Sequence, residues 1–497
     1  MKSLKSTPII VHSIKQFFQE YGLLLAILLT GLTLRFYRLG DNCLGFDEVG
    51  VSYVTKAQTL DEFVFLVRSH VMAMPLDYAM TWLVSRQGTE NAILRLPSAI
   101  WGTLTLPVCF ALFRVLTDKR TALISVFMLA FTPFHIQYSQ ELRFYASLTF
   151  FYSLSTYTLW KAMSTNTVPG WVIFTLTTII GLYFHMYVLL VVVNAFFFLF
   201  SNDFQKMWGQ LLRPLMVSLT LILVAFLVGF LIFSGRVTFD NPLLEYDITF
   251  LQSLLIGLGW QPYYFETAGL GWIWGLICCF LEIAGFVWLV RKPRSTAFLF
   301  FISVVSQAIL IIGADVFKHY FFSPRQLLVF YPVLLMVAGI GLKALMDLGL
   351  NFQNKYIPVN RQNCGLTIAA VLMLIAAAFP ALSQYYNSTK SNAQSISEFI
   401  HSAWEPDNTV LVITPFLGSY YNYFFTDELD APEIISTVWQ ADWDTVRESK
   451  DWPGQTFVIA PLKLTADQQD ILISGQYTLA PLPYPASRFI QQLWIRN

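Results

Sequence analysis

Apolar positions in this chain fall in long runs rather than in alternation, and the runs have the length of a membrane. Crossing the hydrocarbon of a bilayer takes about 20 consecutive, mostly apolar residues in a helix. About eleven stretches fit that pattern: 18–38, 93–114, 121–136, 144–163, 171–185, 186–202, 214–234, 269–290, 295–313, 326–347 and 364–382. The stretches 171–185 and 186–202 are short and also suit a single re-entrant hairpin. The first is too long for a signal peptide, and it runs into Arg35 and Arg38 with no small-residue cleavage motif.

Between the runs lie two substantial polar pieces. The loop 39–92 carries amphipathic patches near 57–68 and 76–84, and the loop 235–268 is rich in aromatics, proline and glycine. After about residue 383 the character changes, with strand-like runs Thr409–Thr414 and Thr456–Ala460 and a helix-like segment Ala393–Trp404. The pattern predicts an α-helical polytopic membrane protein over 1–382, followed by a soluble α/β domain over 383–497, large enough at about 110 residues for a small core. No internal repeat is visible.

Composition and charge refine this picture. Of 497 residues, 56% are hydrophobic and 12% charged, against about 25% charged in soluble domains. Lysine plus arginine equals aspartate plus glutamate at 31 each, so no basic excess exists to bind nucleic acid through phosphates. The five cysteines show no metal-ligand spacing, which argues against a disulfide scaffold or a structural zinc. Lysine and arginine alternate by loop. Lys2, Lys5 and Lys15, then Arg114, Lys119 and Arg120, Lys161, Lys206 and Arg213, Arg291, Lys292 and Arg294, and Lys343, Lys355 and Arg361 share one side. The positive-inside rule makes that side the cytoplasm. The expectation is a multi-pass protein of the plasma (inner) membrane. Its N-terminus is cytoplasmic, and its loops 39–92 and 235–268 and its C-terminal domain lie outside.

Residues that break the apolar rule are the informative ones, because charge near hydrocarbon is costly. They gather at the external ends of the runs. Asp47 and Glu48 follow the first stretch, and adjacent residues on a helix point about 100° apart, so only one of them can face a given site. A partly desolvated carboxylate makes a better base, although a solvated loop acid or a helix N-terminal residue would read the same way. The segment 135–143, HIQYSQELR, offers Tyr138 and Gln140 for sugar hydroxyls or turn capping, and Glu141 and Arg143 as a charge pair. Lys318, His319 and Arg325 precede the tenth run. An arginine fork suits a phosphate, but a snorkelling anchor at the headgroups would use the same residue. His185 and Glu282 are lone polar residues in apolar segments, a setting more typical of satisfied core positions. A transporter or flippase of lipid-linked sugars would keep ionisable groups near the midplane, and only Glu282 offers one.

Several stretches resemble, in order, the bacterial polytopic glycosyltransferases of the GT-C fold, the protein-mannosyltransferase and aminoarabinose-transferase-like group. They are RFYRLGDNCLGFDEVGVSYV (35–54), ENAILRLPSAIWG (90–102) with Arg95-Leu96-Pro97-Ser98-Ala99, PFHIQYSQELRFYA (133–146), FSPRQLLVFYPVLLMVAGIG (322–341), and SEFIHSAWEPDNTVLVI in the tail. The resemblance implies a sugar donor carried on a polyprenyl phosphate and a lipid, glycan or protein acceptor, with membrane lipids around both. It implies Asp47 as general base, Glu48 orienting the acceptor or a water, and Arg325, helped by Lys318 or His319, at the departing phosphate. A divalent metal beside the acidic residues is compatible with it, though no spacing demands one. One departure stands out: where the family has His-Pro-Pro-Leu-Tyr, this chain has Ala73-Met74-Pro75-Leu76 followed by Asp77-Tyr78. His70 lies just upstream as a substitute, and Asp77 offers the site a second acid.

Overall fold

The structure is a computed structural model that describes residues 8–69, 75–233, 248–260, 272–318, 323–353, 359–388, 391–405, 408–413, 421, 442–452, 454–461, 464–482 and 491–496. Helices dominate: α1 (Pro8–Phe36), α2 (Phe46–Ser52), α3 (Leu60–Ser69), α4 (Pro75–Val84), α5 (Asn91–Leu116), α6 (Lys119–Phe131), α7 (Pro133–Ser139) and α8 (Tyr145–Thr165) come first. They are followed by α9 (Val168–Phe184), α10 (Val191–Leu199), α11 (Trp208–Phe233), α12 (Ile248–Gly257), α13 (Trp272–Leu289), α14 (Thr296–Lys318), α15 (Tyr331–Gln353) and α16 (Val359–Asn387). Each apolar stretch of the sequence meets at least one of them. Among the described residues, six helical segments are long and apolar enough to cross a membrane: Asn91–Leu116, Gln205–Phe233, Trp272–Leu289, Thr296–Phe317, Pro324–Gly349 and Ile368–Asn387. The protein is a polytopic helical membrane protein. Its helices approach closely where side chains vanish: a Cβ on Gly285 of α13 would sit 1.9 Å from the Val337 carbonyl oxygen of α15, the small-residue packing expected inside a membrane.

The stretch expected at 121–136 is not one straight helix. α6 and α7 meet at an angle of 62°, because Pro133 supplies no N–H and forces Thr132 out of helical geometry (φ −69°, ψ 116°). The carbonyls freed by this bend are collected by Arg35, fully buried on α1. Its Nη1 donates to Ala130 O at 3.3 Å, and its Nη2 to Leu129 O at 3.2 Å and to His135 Nδ1 at 2.9 Å. The 171–202 region forms two elements, α9 and then a 3-10 turn (Met186–Leu190) leading into α10. The 326–347 run likewise opens as a 3-10 helix, Pro324–Phe330, before α15.

The polar pieces are more ordered than their composition suggests. The two amphipathic patches of 39–92 are α3 and α4, and α4 packs directly against α5 and α9 of the bundle. Part of the 235–268 region, expected as loop, is the helix α12. The last helix runs to Asn387, past the expected domain boundary at 382. Beyond it, the helix Ala393–Ser402 packs on a four-stranded sheet of β1 (Thr409–Val412), β2 (Thr456–Pro461), β3 (Thr478–Leu479) and β4 (Gln491–Arg496), in the order β1-β2-β4-β3. β1 and β2 are parallel, and the other pairs are antiparallel. The short β3 and β4 had no clear signature in the sequence. One face of this unit continues into the loop that carries α2: Cys43, Leu44, Val49 and Val51 share a single apolar core with Ile396, Phe457, Ile459 and Leu493.

Beneath α2 lies a buried ion pair with every polar atom satisfied. Arg95, in the first turns of α5, donates from Nε to Glu48 Oε1 at 2.7 Å and from Nη2 to Glu48 Oε2 at 2.8 Å. Its remaining N–H groups reach the carbonyls of Leu39, Asn42 and Cys43 at 3.2, 2.7 and 3.0 Å. Glu48 in turn accepts from the backbone N–H of Gly45 and of Leu142, each at 2.8 Å. All five guanidinium donors are used, and both side chains are buried, 1% and 4% exposed. Breaking such a pair from one side strands a buried charge at a cost of about 3–5 kcal/mol. Arg95→Leu should therefore lower the thermal midpoint of the detergent-purified protein sharply, and adding Glu48→Leu should restore much of it. Wild-type melting of Arg95→Leu alone would show that the pair does not hold the loop.

Candidate active site

The first turn of α2 sends its two acids in opposite directions. Glu48 points inward to Arg95 and accepts the backbone N–H of Gly45 at the start of α2, so its oxygens are committed to the fold. Asp47, one residue earlier, points outward and forms an ion pair with Arg325 Nη1. Arg325 sits near the start of the 3-10 helix, just after Pro324 sets its first turn, and its guanidinium lies 5.6 Å from the Tyr145 ring centroid. The pair joins residues 278 positions apart in sequence. Arg143 adds a second cation: its Nη1 donates to the Asp47 carbonyl oxygen at 3.2 Å, and its guanidinium covers the rings of Phe144 and Tyr145 at 5.0 and 5.8 Å. Burial by itself would raise the Asp47 carboxyl, but Arg325 and Arg143 outweigh it and hold the group below the ordinary aspartate range.

Asp77, in the first turn of α4, faces the same cluster. Among the described residues its Oδ2 has no hydrogen-bond donor and is closed off from solvent. Burial pushes this carboxyl up to about 7, opposed only in part by the charge of Arg143. The neighbouring Tyr78 is also raised, by burial first, with Asp77 and Asp47 adding to it and Arg143 opposing. The Arg143 Nε is likewise buried with no partner among the described residues. Two arginines, two carboxyls of very different acidity and a tyrosine pair thus converge at one end of the bundle.

Other expected residues are placed differently. Gln140 is turned into the bundle, where Nε2 donates to the Arg35 and Tyr37 carbonyls at 3.0 and 2.8 Å and Oε1 accepts from the Tyr385 hydroxyl at 2.8 Å. Tyr138 is buried against Phe134 and Tyr145. Glu141 is buried and accepts from Gln137 Nε2 at 3.2 Å. These three hold the segment that presents Arg143. Lys318 ends α14, but its side chain, and all of His70, Ala73, Met74 and His319, lie outside the described residues. Glu282, the one midplane group a transporter would use, accepts from Trp260 Nε1 at 2.8 Å through Oε2. Among the described residues no three His, Cys, Asp or Glu side chains come together to hold a metal ion. Sequence reasoning quoted Arg95 without a role and passed over Tyr145. The signal for Arg95 is a charge placed in the opening turn of a long apolar helix.

Asp77 gives the site a distinctive pH signature. Its folded carboxyl is raised to about 7, while the unfolded chain releases the proton near about 4. Between those values the folded state binds more protons than the unfolded one, so this group makes stability fall as pH rises and level off above about 7. Asp77→Asn should remove that decline from a plot of thermal midpoint against pH. An unchanged slope would mean that Asp77 titrates normally.

Residues 74–233 match the family model described as dolichyl-phosphate-mannose-protein mannosyltransferase. No curated protein matches the chain in sequence. Among solved structures, ArnT from Cupriavidus metallidurans in the apo state superposes with a TM-score of 0.55 at 14% identity, covering 96% of this chain and 98% of that one. The same enzyme bound to undecaprenyl phosphate gives 0.53 at 15% identity, with equal coverage. The apo oligosaccharyltransferase from Archaeoglobus fulgidus gives 0.53 at 12% identity, covering 89% of this chain and 70% of that one. At such identities the likeness is one of fold, extending over nearly the whole chain and not only the segment matched by the family model. Residues 74–233 thus carry the signature of that mannosyltransferase family model, and nearly the whole chain shares the fold of ArnT and of the archaeal oligosaccharyltransferase.

Proposed function

We propose that this membrane glycosyltransferase takes a sugar from a polyprenyl-phosphate carrier and passes it, with inversion, to an acceptor at the outer face of the plasma membrane. The observation that carries the reading is the ion pair between Asp47 and Arg325, which brings a carboxylate base into direct contact with a guanidinium suited to phosphate. The positive-inside pattern of the loops supports an external site, a cytoplasmic N-terminus and an extracytoplasmic C-terminal domain. A lipid-phosphate donor is consistent with the undecaprenyl phosphate bound by ArnT. A peptide acceptor has a parallel in the archaeal oligosaccharyltransferase AglB, solved with an inhibitory peptide and a dolichol-phosphate. The acceptor class here is a lipid, a glycan or a protein.

The chemistry follows from the competition for Arg325. Before the donor binds, Asp47 is neutralised by the arginines and is a weak base. The donor phosphate offers the guanidinium two parallel charge-assisted bonds and draws it from the carboxylate. Asp47 then keeps its burial but loses its main counter-charge, so its basicity rises as the donor arrives. It accepts a proton from the acceptor hydroxyl or amine, whose heteroatom forms a bond to the anomeric carbon. The bond from that carbon to the phosphate oxygen breaks, and its electron pair leaves on the polyprenyl phosphate beside Arg325. Glu48 acts as a positioning residue through Arg95 rather than on the acceptor, and Asp77 and Arg143 line the site. Lys318 and His319 are the further cations proposed for the phosphate.

The test uses membranes supplied with polyprenyl-phosphate-linked sugar. Asp47→Asn should lose about 10²–10⁴ in transfer rate while binding undecaprenyl phosphate at least as tightly as wild type, since Arg325 is released. Arg325→Ala should lose donor binding while the protein still folds. Unchanged transfer in Asp47→Asn rejects the base, and normal donor binding by Arg325→Ala rejects the phosphate contact.

A further inference from the structure

The break between α9 and α10 brings an imidazole to the site from an element that no motif marks. α9 stops at Phe184, and His185 takes an extended conformation (φ −162°, ψ 137°) before the 3-10 turn at Met186 begins. α9 packs against α4, which carries Asp77. The His185 ring stacks on Phe144 with centroids 4.2 Å apart and planes at 25°, and it meets Tyr187 edge-on at 4.7 Å. Phe144 is also the ring under the Arg143 guanidinium, at 5.0 Å. The imidazole therefore shares an aromatic support with a cation of the site.

Its protonation pattern is set locally. His185 Nδ1 accepts the Tyr187 backbone N–H at 3.2 Å, the capping bond of the 3-10 turn. A ring nitrogen that accepts an amide N–H carries no proton, so the neutral ring holds its proton on Nε2. Adding a proton to Nδ1 would cost that capping bond and set two positive charges across one phenyl ring. Among the described residues no acceptor takes the Nε2–H, and the residue is half-buried rather than sealed. The ring is a neutral donor of fixed tautomer and fixed orientation.

We infer that His185 donates its Nε2–H to an oxygen of the lipid-linked sugar donor, orienting that donor toward Asp47. The acceptor oxygen belongs either to the phosphate or to a sugar hydroxyl. This rests on the transferase reading above. Two substitutions separate the donor from the cap. His185→Asn keeps a side-chain oxygen able to cap the turn and removes the Nε2–H, whereas His185→Gln places an amide N–H near the Nε2 position.

The full-length protein in nanodiscs is assayed for transfer from a polyprenyl-phosphate-linked hexose and, separately, for binding of undecaprenyl phosphate. His185→Asn should lose about tenfold or more in kcat/KM, the scale of one hydrogen bond to a charged or polar ligand, and His185→Gln should recover part of it. A parallel loss of undecaprenyl phosphate binding assigns the contact to the phosphate, and intact binding assigns it to the sugar. Wild-type kinetics in His185→Asn, or equal losses in Asn and Gln, overturn the inference while the transferase reading stands. A wild-type chain that neither binds undecaprenyl phosphate nor transfers hexose removes that reading, and this inference with it.

Discussion

The arrangement around Asp47 depends on a salt bridge committed to the fold, that of Glu48 and Arg95. Glu48 and Arg95 are both buried, and each is saturated with partners: two backbone amides on the acid and three backbone carbonyls on the base, beyond their own double contact. A buried pair seldom repays its desolvation by attraction alone. Here the value lies in geometry, because the five groups that complete it come from the segment after α1, the turn into α2 and the segment after α7. Fixing α2 against α5 fixes the direction in which the next residue, Asp47, must point.

That direction explains how neighbouring acids serve unlike ends. One carboxylate is committed inward to structure. The other meets two guanidinium groups, whose charge holds its carboxyl below the ordinary aspartate range. Asp77, with no cation in direct contact among the described residues, is shifted the other way by burial. The contrast arises from counter-charge and burial, not from residue type.

Much of this was legible in the sequence, for identifiable reasons. Helical runs announce themselves when the solvent is lipid, and Asp47, Arg143 and Arg325 could be singled out because charge is rare near hydrocarbon, whereas Asp77 came to notice only where the chain departs from the family's His-Pro-Pro-Leu-Tyr motif. Pairing across the chain could not be read. Nothing local to Glu48 reveals that Arg95, 47 positions on, will occupy it. Gln140, similarly, looks available for sugar until the carbonyls of Arg35 and Tyr37 and the Tyr385 hydroxyl are brought to it by tertiary structure. The bend at Pro133 was hidden because a proline inside an apolar run can kink, break or merely start a helix. His185 looked like a satisfied core residue, and half of it is: one nitrogen caps a turn.

The apolar core shared by the C-terminal sheet and the α2 loop has an evolutionary corollary. Substitutions on the underside of the tail cannot drift alone, since Ile396, Phe457 and Leu493 share one apolar core with Leu44 and Val49. Exchanging this tail for one with a different underside would therefore disturb the α2 loop, and with it the setting of Asp47, even where no residue near Asp47 is changed.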